Sequence, residues 1–332
     1  FVIDTTKPQI SVSYDNNSVK NKIYFNSARK ATIKFEDLSF SESLVTVTKT
    51  GDNALPSIGS YSDSDNKHET TMTFENDGRY AFKIECEDLA GNVADQYSSD
   101  EFVIDTQAPE IEIAGVENMS ANNDVVEPII NATDLNLADN DVTITVIGSN
   151  NGEIALSKKS DAITDGYTVK IGDIPHEKAN DDLYTLVAKV TDQAGNETEK
   201  NIQYSINRFG SVYVLSDATK KMIEDYYVTS PQDVVITEIN VDTLTYKDVS
   251  VTHDGSVKNI KEGKGYTTSD VTNDRGWHSI SYAISKNNFS KDGIYSVAVY
   301  SEDKATNKQS NQSKDAEIEF LLDATAPSVV VS

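Results

Sequence analysis

FVIDTTKP at residues 1–8 returns as FVIDTQAP at 102–109 and as FLLDATAP at 320–327. The residues on either side of the phrase give its meaning. Phe102 and Ile104, like Phe320 and Leu322, alternate as the inward face of a final β-strand. Asp105 or Asp323 follows, then Pro109 or Pro327, which has no N–H for a ladder and stiffens the chain as it leaves. Beyond the prolines, EIEIAG and SVVVS begin new alternating strands, as QISVSY does at 9–14. The phrase therefore reads as a junction between consecutive units. Residues 1–6 read as the tail of a preceding copy and 326–332 as the start of a following one.

A second signature precedes each unit's end: GRYAFKIECEDLAGN at 78–92, DLYTLVAKVTDQAGN at 182–196 and GIYSVAVYSEDKATN at 293–307. Tyr80, Tyr184 and Tyr295 each stand eight residues before Asp88, Asp192 and Asp303. A strand leads into a turn in each case. Tyr80, Phe82, Ile84 and Cys86 share one face, as do Tyr184, Leu186, Ala188 and Val190, and Tyr295, Val297, Val299 and Ser301. In the turn, the aspartate side chain can accept backbone N–H groups two residues on, and Gly91 or Gly195 supplies a left-handed backbone position. Thr306 replaces that glycine in the third copy. Because a β-branched residue resists positive φ, Asn307 is expected to take the left-handed position there.

Three units follow, predicted at 7–107, 108–208 and 209–325. Within the second, strands are predicted near 110–115, 125–133, 141–149, 152–159, 166–172, 182–191 and 199–206, the density of a β-sandwich. The third is longer. Its ATKKMIEDYY (218–227) reads as a short helix or an irregular connection, with strands at DVVITEI, around 249–254 and at WHSISYAI (277–284). Its junction with the second copy, YSINRFGSVYV (204–214), carries Asn207 in place of aspartate and lacks proline, so that joint is expected to differ in angle or flexibility. The fold class is all-β: three tandem immunoglobulin-like β-sandwich domains in an elongated array.

Composition agrees. Hydrophobic residues are 37%, fitting small domains with much surface, while 16 Tyr and 10 Phe exclude a disordered chain. A net charge of −25 disfavours nucleic acid and anionic membrane as partners. The single cysteine, Cys86, rules out an intrachain disulfide. No apolar run is long enough to span a bilayer.

The D-x-A-G-N turn followed by F-x-I-D-T-x-A-P-x-I resembles the tandem bacterial immunoglobulin-like repeats of large Gram-positive cell-surface and adhesin proteins. The resemblance covers the whole chain as three copies. It implies an extracellular segment, attached to the cell surface through other parts of its parent, with further Ig-like repeats on both sides. It also implies a monomeric, non-catalytic spacer that projects other domains. The alternative is a module binding a host glycan or glycoprotein, or another matrix ligand, through loops of the third copy.

Residues capable of chemistry are sparse. His68, His176, His253 and His278 form no metal-binding spacing, and no nucleophile elbow or phosphate loop occurs. No cofactor is called for. Structural Ca²⁺ at the junctions is the one candidate, from Asp88, Asn92 and Asp105 in the first copy and Asp303, Asn307 and Asp323 in the third, since Asp, Asn and backbone oxygens suit a hard cation. The acidic strings SDSDNKHE (from 63) and DLNLADND (134–141) fail the contiguous calcium-loop pattern. A Lys–Asn isopeptide crosslink, a feature of some Gram-positive surface Ig-like domains, has no spacing that would mark it. Cys86, on an inward face, reads as a buried thiol. Trp277 reads as a core residue of the third sandwich, with a sugar-stacking platform as its functional alternative.

Overall fold

The structure, a computed structural model, describes residues 3–19, 21–138 and 141–329. The strand expected at 328–332 falls largely outside them. Strands form three successive groups of sheets with no strand shared between groups. Each copy opposes a four-stranded sheet to a second layer around its own apolar cluster. These are Ig-like sandwiches in tandem.

The first strand of each copy divides between the two layers. In copy one, Gln9–Tyr14 pairs antiparallel with Arg29–Glu36, and Tyr24–Phe25 then crosses to run parallel to Phe102–Ile104. Copy two repeats this with Glu110–Ala114 and Ser120–Asn122, and copy three with Val212–Leu215 and Tyr227–Val228. The extra length of copy three lies in that crossover, where Asp217–Asp225 is a helix. Ser216 caps it by accepting the Thr219 N–H at 3.2 Å, and Met222 turns into the core.

Two strand boundaries differ from the sequence reading. The segment 125–133 is a strand only over Ile129–Thr133, because Pro128 has no N–H to extend the ladder. The segment 152–159 is split into Gly152–Glu153, which closes a hairpin, and the exposed edge strand Lys158–Ile163.

The signature strands hold the cores together. Tyr184, Leu186, Ala188 and Val190 are fully buried, and Tyr295, Val297, Val299 and Ser301 are buried in the same register. In copy one the strand is interrupted at Ala81, whose carbonyl accepts the N–H groups of both Thr50 and Gly51 at 2.8 and 3.0 Å. A Cβ on Gly51 would stand 2.6 Å from the Ala81 nitrogen, so this bulge requires glycine. The signature tyrosines do more than fill space. Their hydroxyls reach back four residues and donate to the carbonyls of Asn76 (2.9 Å), Asn180 (2.7 Å) and Lys291 (2.9 Å). A phenol ring is thereby buried with its polar end satisfied, and the loop before the strand is tied down three times over, much as in the tyrosine corner of Ig domains.

Copy three encloses a carboxylate. The alternation Val234, Ile236, Glu238, Asn240 carries Glu238 inward, where it is 1% exposed. Its Oε1 accepts hydroxyls from Ser211 (2.5 Å), Tyr213 (3.1 Å) and Ser301, and its Oε2 accepts that of Tyr282 (2.8 Å). Burial first, and then the Glu238 charge, push the Tyr213 and Tyr282 hydroxyls far above the usual phenol range. These phenols stay protonated and serve as donors.

Candidate functional site

The Asp-x-Ala-x-Asn turn of every copy sits where the preceding linker arrives. Asp88 accepts the N–H groups of Ala90 (2.8 Å) and Asn92 (2.9 Å), and also one side-chain N–H of Asn92 (2.8 Å). Asn92 Nδ2 also donates to the carbonyl of Asp4 at 3.2 Å. One carboxamide thus fastens its own turn with one N–H and the incoming chain with the other. The same clamp recurs at the second joint, where Asn196 Nδ2 bonds Asp192 (2.8 Å) and the Asp105 carbonyl (2.9 Å). At the third joint Asn307 Nδ2 bonds Asp303 (3.0 Å) and the Asn207 carbonyl (2.6 Å). The chemistry dictates the residue: glutamine would overshoot, and aspartate has no N–H to donate.

This geometry redistributes the calcium candidates. Asp88 and Asn92 meet Asp4 of the incoming phrase rather than Asp105, which lies at the other end of the same sandwich. Asp303 and Asn307 likewise meet Asn207. Asp323 is exposed and follows Leu322, which pairs with Gly293, so it lies at the far end of strand Gly293–Asp303. Asp4 and Asp105 each serve the copy that follows them, since the strand separating the two ends of a sandwich spans roughly 30 Å.

At the first two joints the carboxylates gather in threes. Asp4, Asp37 and Asp88 place ligand oxygens within 4.8 Å of one another, as do Asp105, Asp134 and Asp192. Burial first, and then neighbouring carboxylates, raise Asp37 and Asp134 above the usual range. Asp105 is also raised, chiefly by burial. For Asp88 burial acts upward too, but the hydrogen bonds of its turn outweigh it and the net shift is downward. Three oxygens of like charge, partly desolvated, are a donor set suited to a hard divalent cation. Asp134 belongs to the string that fails the contiguous-loop test. That test reads neighbours in sequence, whereas this set is drawn from three separated segments.

The third joint substitutes amides. Asn207 stands where Asp4 and Asp105 stand, and Asn240 where Asp37 and Asp134 do. Asp303 accepts from Asn307 N, Asn307 Nδ2, Asn207 Nδ2 and Asn240 Nδ2, all within 3.0 Å. Asn207 Nδ2 is shared with Asn240 Oδ1 and Asp242, leaving its own Oδ1 buried without a partner. Two amide N–H groups thus reach the buried carboxylate from positions that hold carboxylates at the other joints, and Asp242 beside it is raised, chiefly by burial.

Residues 65–208 match the bacterial Ig-like domain, group 3. The matched stretch holds the latter part of copy one, the FVIDTQAP junction and all of copy two, and over it the resemblance drawn from the repeated motifs is borne out. Among solved structures, the chain is similar to a tetra-tandem repeat in the extending region of a large adhesion protein. Identity is 16% over 96% of this chain and 74% of that one, with a TM-score of 0.43. Titin domains A168–A170 align at 10% identity over 90% of this chain and 95% of that one, with a TM-score of 0.31. The complex of Dpr2 Ig1–Ig2 with DIP-Theta Ig1–Ig3 aligns at 9% over 94% and 98%, with a TM-score of 0.46. No curated protein matches the sequence. Among the described residues no helix is long and apolar enough to cross a membrane.

In these Ig-like copies the turn of copy three also departs from expectation. Thr306, not Asn307, takes the left-handed position, at φ 69°, matching Gly91 at 87° and Gly195 at 85°. Its N–H must reach the Asp303 carbonyl (2.9 Å) as Gly91 reaches Asp88, and that requirement overrides the β-branched preference. Thr306 Oγ1 meanwhile accepts from Asn123 of copy two at 3.3 Å. Thr306→Gly is expected to stabilise copy three by about 0.5 kcal/mol, relieved strain exceeding the lost bond and the added chain entropy. A urea midpoint that falls, read by Trp277 fluorescence in the full chain, would show the cross-joint bond to be the stronger term.

The third joint lacks proline and is braced instead by side chains. Lys304 Nζ donates to the Met119 carbonyl (2.8 Å), Lys314 Nζ to that of Phe209 (2.6 Å), and Asp181 accepts the N–H groups of Arg208 (3.0 Å) and Phe209 (2.8 Å). Trp277 belongs to this bracing and not to the core of the third sandwich. It is only partly buried, and its indole N–H donates across the joint to Asp182 at 3.2 Å. It stands one residue before the strand His278–Ile284 and takes no part in that strand's inward alternation. Cys86 is buried, and desolvation, followed by the charges of Asp37 and Asp88, pushes its thiol up to about 11.

Proposed function

We propose that this chain is a non-catalytic spacer from a bacterial cell-surface protein, its domains at 7–107, 108–208 and 209–325 held end to end outside the cell. The observation that carries this reading is the clamp made three times, in which each Asp-x-Ala-x-Asn turn grips the backbone that delivers its own domain. A repeated grip on the linker resists bending and is of no use to an isolated domain. Each sandwich buries its own core, so tension passes from one copy to the next through the joints. Further Ig-like repeats on both sides, and attachment through other parts of the parent, complete the proposal. An elongated monomer in solution X-ray scattering is the expected result, and a compact particle would overturn it.

Calcium enters as part of this proposal at the first two joints only. Asp4, Asp37 and Asp88, and then Asp105, Asp134 and Asp192, would hold the ion, which would neutralise their mutual repulsion and tie linker to domain. Copy three, with amides at the matching positions, would not need it. In the full chain, adding Ca²⁺ after chelation should raise the thermal transition followed by circular dichroism by about 5 °C. The transition of copy three, resolved by calorimetry, should move by less than about 2 °C. No shift in either signal would remove the ion and leave the clamp in place.

A further inference from the structure

The third joint encloses a cleft that the spacer role does not use. About 500 Å³ in volume, it lies between Lys178 and Asp181 of copy two and Gly210, Asp274, Arg275 and Trp277 of copy three. That volume suits one or two sugar rings. Its aromatic wall is fixed on two sides. The Trp277 indole N–H is held by Asp182, and the backbone carbonyl of Arg275 accepts from Asn150 Nδ2 of copy two at 3.2 Å. The Arg275 guanidinium lies over the indole, 4.6 Å from its centre.

The polar groups facing the cleft are unevenly engaged. Asp181 is taken up by the two backbone N–H groups of the linker. Lys178 and Arg275 form no ion pair among the described residues, although the chain as a whole carries a charge of −25. Asp274 stands beside them without a cation partner. Two cations without a carboxylate partner among the described residues, one of them stacked on one face of the indole, and one carboxylate able to accept hydroxyl hydrogens form a set that recognises a particular chemistry. The ring's carbon face meets the indole, a carboxylate substituent meets the guanidinium and ammonium, and hydroxyls meet Asp274.

We propose that this cleft binds an acidic sugar residue, a pyranose bearing a carboxylate, across the joint between copies two and three. The inference goes beyond the spacer reading and stands apart from it, since the array would be stiff with or without a ligand. Trp277 is the only tryptophan, so its fluorescence reports on this cleft alone.

The test is a titration of the full chain with methyl β-glucuronide and with the methyl glycoside of N-acetylneuraminic acid, using methyl β-glucoside and acetate as comparisons. A saturable change in Trp277 emission is expected with at least one acidic glycoside at millimolar concentration, about 10-fold weaker with the neutral glycoside and with acetate. The double variant Arg275→Gln, Lys178→Gln should lose that response by about 10-fold or more while keeping the thermal transition of the parent chain. Both residues are exposed or rim positions, so the fold does not depend on them. No saturable change up to about 50 mM, an equal response to the neutral glycoside or to acetate, or an unaffected double variant would each overturn the proposal.

Discussion

Replacing Glu238 with alanine is expected to cost copy three about 3–5 kcal/mol of stability, the largest effect of any single change outside the apolar cores. The carboxylate is buried and has no cationic partner among the described residues. It is held by hydroxyls from Ser211, Tyr213, Ser301 and Tyr282, which come from four different strands or linkers. Truncation takes the shared acceptor from four buried hydroxyls, of which only Tyr213 and Ser301, 3.4 Å apart, can turn to each other, and opens a cavity between the two layers. Glu238→Gln keeps the volume and one acceptor oxygen, and should cost only about 1–2 kcal/mol, because hydroxyls can rotate to receive the new N–H. Calorimetric unfolding of the full chain, compared with the parent, should show a transition of copy three lowered accordingly. A loss below about 1 kcal/mol for the alanine variant would mean that the hydroxyls find other partners.

Asp303→Ala ranks second, at about 3 kcal/mol, and its effect should extend past its own domain. Four N–H groups converge on this carboxylate, two from Asn307, one from Asn207 in the linker and one from Asn240 at the end of a strand in the opposing sheet. Their loss frees Asn307 from the orientation in which it reaches the Asn207 carbonyl. Copy three should therefore unfold earlier, and its transition should separate from that of copy two. Asp192→Ala at the second joint removes fewer donors and should cost less. Equal thermal transitions for Asp303→Ala and the parent chain, within about 2 °C, would show that the joint does not depend on this carboxylate.

Much of the fold was legible because a strand buried on one face declares itself by alternation. Tyr184-x-Leu-x-Ala-x-Val and its two counterparts gave both the strand and its buried side. The crossovers were not legible in the same way. Ser120–Asn122 and Tyr227–Val228 are two- or three-residue pairings that no period can mark, and they exist because the chain must change sheets there. The clamp was half legible. The spacing of Asp and Asn in the turn pointed to a local hydrogen-bonded cap, and that is present. What the second Asn N–H grips lies some ninety to one hundred residues away in the sequence, at Asp4, Asp105 and Asn207, and only folding brings it near.

The grouping of the calcium candidates was hidden for the same reason. Grouping Asp88 with Asp105 assumed that a junction phrase serves the domain it ends, whereas it serves the domain it begins. A signal was available in EDLSF at 36–40 and TDLNL at 133–137, which place Asp37 and Asp134 in matching contexts. Glu238 was likewise visible as the third inward position of VVITEIN, although a buried glutamate among hydroxyls runs against the usual preference of a sandwich core. Trp277 could not be placed, because nothing in WHSISYAI tells a strand's first residue from the loop that reaches across a joint.

The central claim is that three sandwiches stand in tandem, each gripping the linker that precedes it. Solution X-ray scattering of the full chain tests it most directly. Three copies of strands ten or eleven residues long, set end to end, give a particle with a radius of gyration of roughly 30–35 Å. A single compact body of this length would give about 20 Å. A value in the upper range that persists in the Asn196→Ala and Asn307→Ala variants only as a broadened distribution of lengths is the predicted result. A value near the lower figure, or a parent chain as broadly distributed as those variants, would contradict the account.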